Sequence, residues 1–198
     1  MRWDDLFDDL ESQLEQGLGA EEVDLLAEEE RLRLGRLTVR DRMIAMTRPG
    51  EGLPEPLRLA LRSGELLTVA VGSLGRDWIA GELAGSRSGS CVVPIAAIAS
   101  LLPTAEQLAR SVTGETAPEP PFALSARLGL AFVLRDLCRR RAAVDLSTAS
   151  EGVLHGTIDR VGRDHLDLAE HAAGEPRRAA AVGRIRIVPL SEILLARF

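Results

Sequence analysis

Two Gly-Arg-Asp triplets stand out as residues that could do chemistry: Gly75-Arg76-Asp77 and Gly162-Arg163-Asp164. Each is followed at once by a flat ring, Trp78 in the first and His165 in the second. An arginine next to an exposed ring suits the binding of a base or of a partner's side chain, the guanidinium meeting an anion while the ring supplies a stacking surface. A third basic feature, Arg139-Arg140-Arg141, closes a helical run. There positive charge also complements the helix dipole without any ligand. Arg76, Trp78, Arg163, His165, Arg139, Arg140 and Arg141 are therefore the candidate ligand-binding or RNA-binding residues. The competing reading makes Trp78 a core side chain, His165 an ordinary strand residue and the arginine triplet a helix end.

The same search for catalytic groups assigns none. The three histidines are His155, His165 and His171. If one strand carried both His165 and His171, a rise of ~3.3 Å per residue would hold them ~20 Å apart, too far for one metal ion. There is no Gly-rich phosphate loop with a lysine, no G-x-S-x-G elbow and no paired cysteine and histidine. Ser86-Arg87-Ser88-Gly89-Ser90 reads as a hairpin loop. Cys91 in a strand-like run and Cys138 in a helical one read as reduced core residues. The expectation is a non-enzyme without metal or cofactor.

The elements that must position these residues begin with an acidic arm. Residues 1–30 hold twelve Asp/Glu and one arginine, net −11, while the rest of the chain has eighteen Asp/Glu and twenty-three arginines, net +5. Lysine, asparagine and tyrosine are absent. Their codons begin AA or UA, so a GC-rich source accounts for arginine being the sole fixed cation, and arginine totals carry no nucleic-acid signature. Trp3, Leu6, Phe7, Leu10 and Leu14 recur at helical spacing opposite Asp4, Asp5, Asp8 and Asp9. Trp3, Leu6, Phe7 and Leu10 form the candidate partner-binding stripe. A second helix is expected over Ala20 to Leu34, stopped by Gly35. The acidic start MRWDDLFDDLE lacks the basic and apolar regions of a secretory signal, and the longest mostly apolar run, Cys91 to Leu102, is shorter than the ~18 residues of a membrane span. The expectation is a cytoplasmic protein that does not engage the membrane.

Beyond the arm the chain resembles itself. GELLTVAVGSLGRDWIAGEL from Gly64 overlays EGVLHGTIDRVGRDHLDLAE from Glu151, and Val93-Pro94-Ile95 answers Val188-Pro189-Leu190 in the same order. Thr38 to Met43 opens with a capping-box pattern upstream of the first copy, and a helix over about Ser125 to Arg140 precedes the second. On that helix Leu124, Leu128, Phe132 and Leu134 are expected to face the core. Alternation predicts strands at Leu57–Leu61, Leu66–Val71, Trp78–Leu83 and Cys91–Val93, then at Ala143–Leu146, Val153–Asp159, His165–Ala169 and Arg184–Val188. Pro94 and Pro189 fit strand ends that pass into 3₁₀ turns. Gly72, Gly81, Gly152 and Gly156 permit the sharp bends of a small barrel.

A leading helix, a strand, Gly152-x-x-x-Gly156-x-Ile158, a turn with Asp164 and an alternating strand through Leu166 and Leu168 together resemble the Sm-like small β-barrel. The resemblance runs over about Leu130 to Phe198 and again over Val39 to Leu102. The chain is also similar to two-barrel proteins of high-GC bacteria. The resemblance implies an α+β fold, mainly β, of two tandem small barrels behind a helical arm: residues 1–35 the arm, 36–103 the first helix-plus-barrel repeat, 104–123 a helix and Pro-rich linker, and 124–198 the second repeat. It departs at the family's RNA pocket, where Val93-Pro94 and Val188-Pro189 replace an Arg-Gly pair and no asparagine exists.

Three function classes follow. The leading expectation is a non-enzymatic interaction or adaptor protein whose acidic arm binds a partner or is autoinhibitory. That partner is another protein or a second copy in a homodimer. The alternative is an Sm-like RNA-binding protein, and the remote alternative an enzyme of unknown class. Uncovered strand edges predict a monomer with a paired core or a homodimer, not a large ring.

Overall fold

Local signals set the helix boundaries in the computed structural model, which describes residues 24–48, 55–85, 89–113, 125–172 and 182–198. The stripe Trp3, Leu6, Phe7 and Leu10 and the linker Thr116 to Pro121 lie outside the described residues. The chain divides into two units, Met1–Arg42 and Met43–Phe198. In the first, residues 24–36 form α1. Arg33 pairs with Glu30 at 2.5 Å one turn away, and its hydrogen bond holds the Glu30 carboxyl below the ordinary range. Helix α2 (Val39–Thr47) starts at the expected box: the Asp41 N–H donates to Thr38 Oγ1 at 3.1 Å, and the Thr38 N–H donates to Asp41 Oδ2 at 3.0 Å. Helix α3 (Ala105–Val112) repeats the device with Thr104 and Gln107.

The second unit is built on ten antiparallel strands: β1 (Leu57–Leu61), β2 (Leu66–Leu74), β3 (Trp78–Leu83), β4 (Gly89–Pro94), β5 (Ile98–Leu101), β6 (Ala143–Thr148), β7 (Gly152–Val161), β8 (His165–Glu170), β9 (Arg184–Pro189) and β10 (Ile193–Arg197). Their order in one unclosed sheet is β5-β1-β2-β3-β4-β10-β6-β7-β8-β9. All eight expected runs are strands. β5 and β10 are additional, each entered through a 3₁₀ turn directly after Pro94 or Pro189. Those prolines end their strands with φ near −60° and no N–H to donate, as expected.

The two halves of this sheet have the same internal order, with the last strand laid beside the first. Irregularities fall at corresponding places. The β2·β3 register shifts between Val71 and Ser73, and the β7·β8 register between Ile158 and Arg160. The halves join where β10 pairs with β4 on one side, Ala196 opposite Val92, and with β6 on the other, Leu146 opposite Ala196.

Two apolar cores follow from this insertion. One gathers Met43, Ile44 and Met46 of α2 with Leu57, Leu59, Leu61, Val69, Leu74 and Ile79, and takes Leu194 and Leu195 from β10. The other gathers Leu146, Ile158, Leu166 and Leu168 with Leu134 and Leu137, and takes Trp78 and Val92 from the first half. Each half thus contributes side chains to the other's core.

Helix α4 (Leu130–Arg140) corrects the sequence reading. Residues Ser125–Arg127 form a separate 3₁₀ turn, so the helical phase starts at Leu130. Leu130, Leu134 and Leu137 then occupy the buried face, at the i, i+4, i+7 spacing of one stripe. Phe132, expected on that face, is 51% exposed, and Leu128 precedes the helix. Leu124 lies outside the described residues.

Among the described residues the outer strand β9 has one strand neighbour, β8, and no strand pairs with its other edge. Glu170 of β8 clamps it through ion pairs with Arg184 and Arg186. Burial raises the Glu170 pKa, but these hydrogen bonds outweigh it and hold the carboxyl below its usual range. A depressed acid contributes stability above its unfolded pKa and loses it as pH falls through the folded value. Glu170→Gln should therefore destabilise the chain at pH 7, by ~1 kcal/mol for a largely solvent-screened pair. The gap to wild type should narrow as pH drops below the unfolded Glu value. Urea midpoints at pH 7 and pH 3 check this, and an equal gap at both would count against the clamp.

Candidate functional site

The two Gly-Arg-Asp turns share their backbone bonds. In the first, the Gly75 N–H donates to the Trp78 carbonyl at 2.8 Å and the Ile95 N–H to the Asp77 carbonyl at 2.9 Å. In the second, Gly162 donates to His165 at 2.8 Å and Leu190 to Asp164 at 2.8 Å. In each the ring folds back over the glycine: a Cβ would lie 2.2 Å from the buried Trp78 indole at position 75, which requires glycine there, and 2.6 Å from the exposed His165 imidazole at position 162.

The side chains then diverge. Trp78 is 5% exposed, and its indole N–H donates to the Leu128 carbonyl at 3.0 Å. It is a core residue, so the expectation of two equivalent exposed rings does not hold. His165 remains exposed, its Nδ1 2.8 Å from Asp164 Oδ1, and this contact keeps the Asp164 carboxyl below its ordinary range. Asp77 is drawn to α4 instead. Gly129 at the α4 N-cap has no side chain to cap with, and Asp77 Oδ1 accepts the Leu130 N–H at 2.7 Å in its place. The Leu128 carbonyl also accepts the Arg76 N–H at 3.0 Å. The first turn is thereby fastened to the start of α4.

This fastening creates a cleft of about 370 Å³ that receives Arg76, Arg135 and Arg163 together with Phe132, between the two turns and the first turn of α4. The Arg76 guanidinium lies against Gly129, where a Cβ would come within 2.6 Å of its Nη2. Arg135 is oriented by donating to the Gly162 carbonyl at 3.1 Å. Asp77 is the one carboxylate in the lining, 3.7 Å from Arg76 and already engaged in the helix cap. Three guanidiniums against a single committed carboxylate leave a positive field in a concave site.

No family model, curated protein or solved structure matches this chain. The site therefore stands on its own geometry. Of the residues singled out in the sequence, Arg76 and Arg163 converge on the cleft and Trp78 supports it from the core. His165 is not among the cleft-lining residues. Arg139 and Arg140 both pair with Asp136 on their own helix. Arg141 takes the left-handed position, φ 52°, that ends α4, with the Ala142 N–H bonded to the Leu137 carbonyl. That triplet serves as a helix end. Arg135 and Phe132 were missed as site residues. No local sequence signal marks them, because both join the cleft through the placement of α4 against the two turns.

A second cleft, about 400 Å³, is lined by Asp145, His155, Arg197 and Phe198. Asp145 and His155 are directly opposed on β6 and β7, and His155 Nδ1 lies 2.6 Å from Asp145 Oδ1. His171, edge-on to His155 with ring centroids 5.2 Å apart, has Nδ1 3.1 Å from the Ala172 carbonyl and Nε2 2.9 Å from Thr157 Oγ1. A carbonyl only accepts, so neutral His171 carries its proton on Nδ1 and Thr157 donates to Nε2. The Asp145–His155 opposition follows from counting outward along β6 and β7 from residues 149–151. Among the described residues, no group of three or more His, Cys, Asp or Glu side chains could hold a metal ion, and no helix is long and apolar enough to cross a membrane. Cys91 is buried, and desolvation pushes its thiol up to about 11, which makes it unreactive near neutrality.

Proposed function

We propose that this chain is a non-enzymatic interaction protein of the cytoplasm, built of two tandem small Sm-like β-barrels that present strand edges to a partner. The observation that carries this reading is the strand order. Each half of the sheet runs fifth, first, second, third, fourth strand, and the halves meet through the fourth strand of one and the fifth of the other, β4 and β10. The shared hydrogen bonds of the two Gly-Arg-Asp turns support the same reading. At the outside of the sheet β9 has an edge with no strand beside it among the described residues, and carries Ile185 at 60% and Ile187 at 72% exposure. An open edge with two exposed β-branched residues invites pairing with another strand. A second copy is the simplest occupant, because two β9 strands can pair antiparallel across a two-fold axis. The acidic arm with Trp3, Leu6, Phe7 and Leu10 is, on this reading, a further partner-binding or autoinhibitory segment.

Sm-like RNA binding is the second reading, favoured by the arginine cleft. Affinity capture with the tagged full-length chain, with and without nuclease, separates the two. Equal recovery of bound protein under both conditions is expected for the interaction protein. Loss of all bound material after nuclease would overturn it in favour of RNA.

A further inference from the structure

We infer that the cleft between the two Gly-Arg-Asp turns is a site for a small phosphorylated molecule carrying a flat ring, of the nucleoside diphosphate class. Two properties of the cleft point there. First, its three guanidiniums are answered within the lining by Asp77 alone. Arg163 is exposed at the tip of its turn, Arg135 spends one bond on the Gly162 carbonyl, and Arg76 shares Asp77 with the α4 cap. Guanidiniums so placed retain free donors for phosphate oxygens, which they bind in bidentate fashion. Second, Phe132 stands half-exposed in this setting, beside Leu130, Ala131 and Leu190. A phenyl ring left in solvent beside cations gives a ligand ring a face to stack on.

Size and charge distribution favour a small molecule over a polymer. The cleft, about 370 Å³, lies in the range of small-ligand sites. The next cations along α4, Arg139 and Arg140, both pair with Asp136 on their own helix and are not among the cleft-lining residues, so the basic lining of the cleft ends at Arg135. The inference thus goes beyond the interaction reading and is independent of the β9 edge.

The test is calorimetric titration of the full chain with ADP, without divalent cations, alongside adenosine, tripolyphosphate and a twelve-nucleotide oligouridylate. Saturable one-to-one binding of ADP is expected, with adenosine and tripolyphosphate each weaker by about tenfold or more, since each lacks one of the two contacts. Arg163→Gln should weaken ADP binding about tenfold and Phe132→Ala about fivefold or more, while Phe132→Trp should preserve it. Both side chains are exposed, so the thermal midpoints of these variants should match wild type. Absence of saturable ADP binding would overturn the inference. So would equal affinity for ADP and tripolyphosphate with no effect of Phe132→Ala, which would mean bare charge attraction. Oligouridylate that binds more tightly than ADP and displaces it would reassign the cleft to RNA. None of these outcomes bears on self-association through β9, so the two proposals fail separately.

Discussion

Trp78→Ala is expected to destabilise the folded chain by ~3–5 kcal/mol, the cost of removing a large buried aromatic side chain. The reason is positional. Trp78 belongs in sequence to the first half of the sheet but fills the core of the second, alongside Leu134, Leu146 and Ile158. Its loss leaves a void exactly where the halves meet and removes the indole donor from the Leu128 carbonyl. That carbonyl still accepts the Arg76 N–H, so the cavity, rather than an orphaned acceptor, dominates the cost. Trp78→Phe separates the terms by keeping most of the apolar volume while deleting the N–H, and should cost nearer ~1–2 kcal/mol. His165→Ala, at the corresponding place in the second turn, should change stability by less than ~1 kcal/mol, because its ring is exposed. Urea unfolding of the three variants measures all of this. Equal effects at positions 78 and 165 would contradict the asymmetry of the two turns.

Leu134→Ala should cost ~2–5 kcal/mol, whereas Phe132→Ala, two residues earlier on the same helix, should cost under ~1 kcal/mol. Leu134 is fully buried in the second core and Phe132 is half in solvent. Sequence alone favours the opposite ranking, since phenylalanine is the larger apolar residue. The helix phase decides: starting at Leu130, the stripe Leu130, Leu134, Leu137 faces the sheet and Phe132 points away from it. Chemical denaturation of both variants gives the comparison, and a larger loss for Phe132→Ala would show that the helix is rotated.

Where local rules suffice, the sequence was readable. The Thr38 cap, the strand runs and the 3₁₀ turns after Pro94 and Pro189 depend on neighbours a few residues away. The two Gly-Arg-Asp turns were legible as equivalents because the glycine, the ring that covers it and the backbone bonds all lie within four residues. What decided their different fates was not local. Trp78 is buried because the Leu128 carbonyl and the second core reach it from far along the chain, whereas the His165 ring meets the adjacent Asp164 and stays exposed. The cleft was half legible for the same reason: Arg76 and Arg163 are marked by their turns, but Arg135 and Phe132 join them only through the placement of α4. The strands β5 and β10 escaped the run-by-run reading because Ile98–Leu101 and Ile193–Arg197 follow 3₁₀ turns without the Gly or Asn punctuation of a hairpin. Yet β10 is the strand that unites the sheet.

Self-association through β9, which with β5 is one of the two outer strands of the unclosed sheet, is the proposal on which the interaction reading turns. Sedimentation velocity of the full chain over a range of concentrations, compared with an Ile185→Lys, Ile187→Lys double variant, tests it most directly. A reversible wild-type dimer is expected, with a variant that stays monomeric at the same concentrations and keeps its unfolding midpoint because both side chains already face solvent. A dimer that survives the double substitution, a wild type that is monomeric throughout, or a stable ring of five or more chains would contradict it.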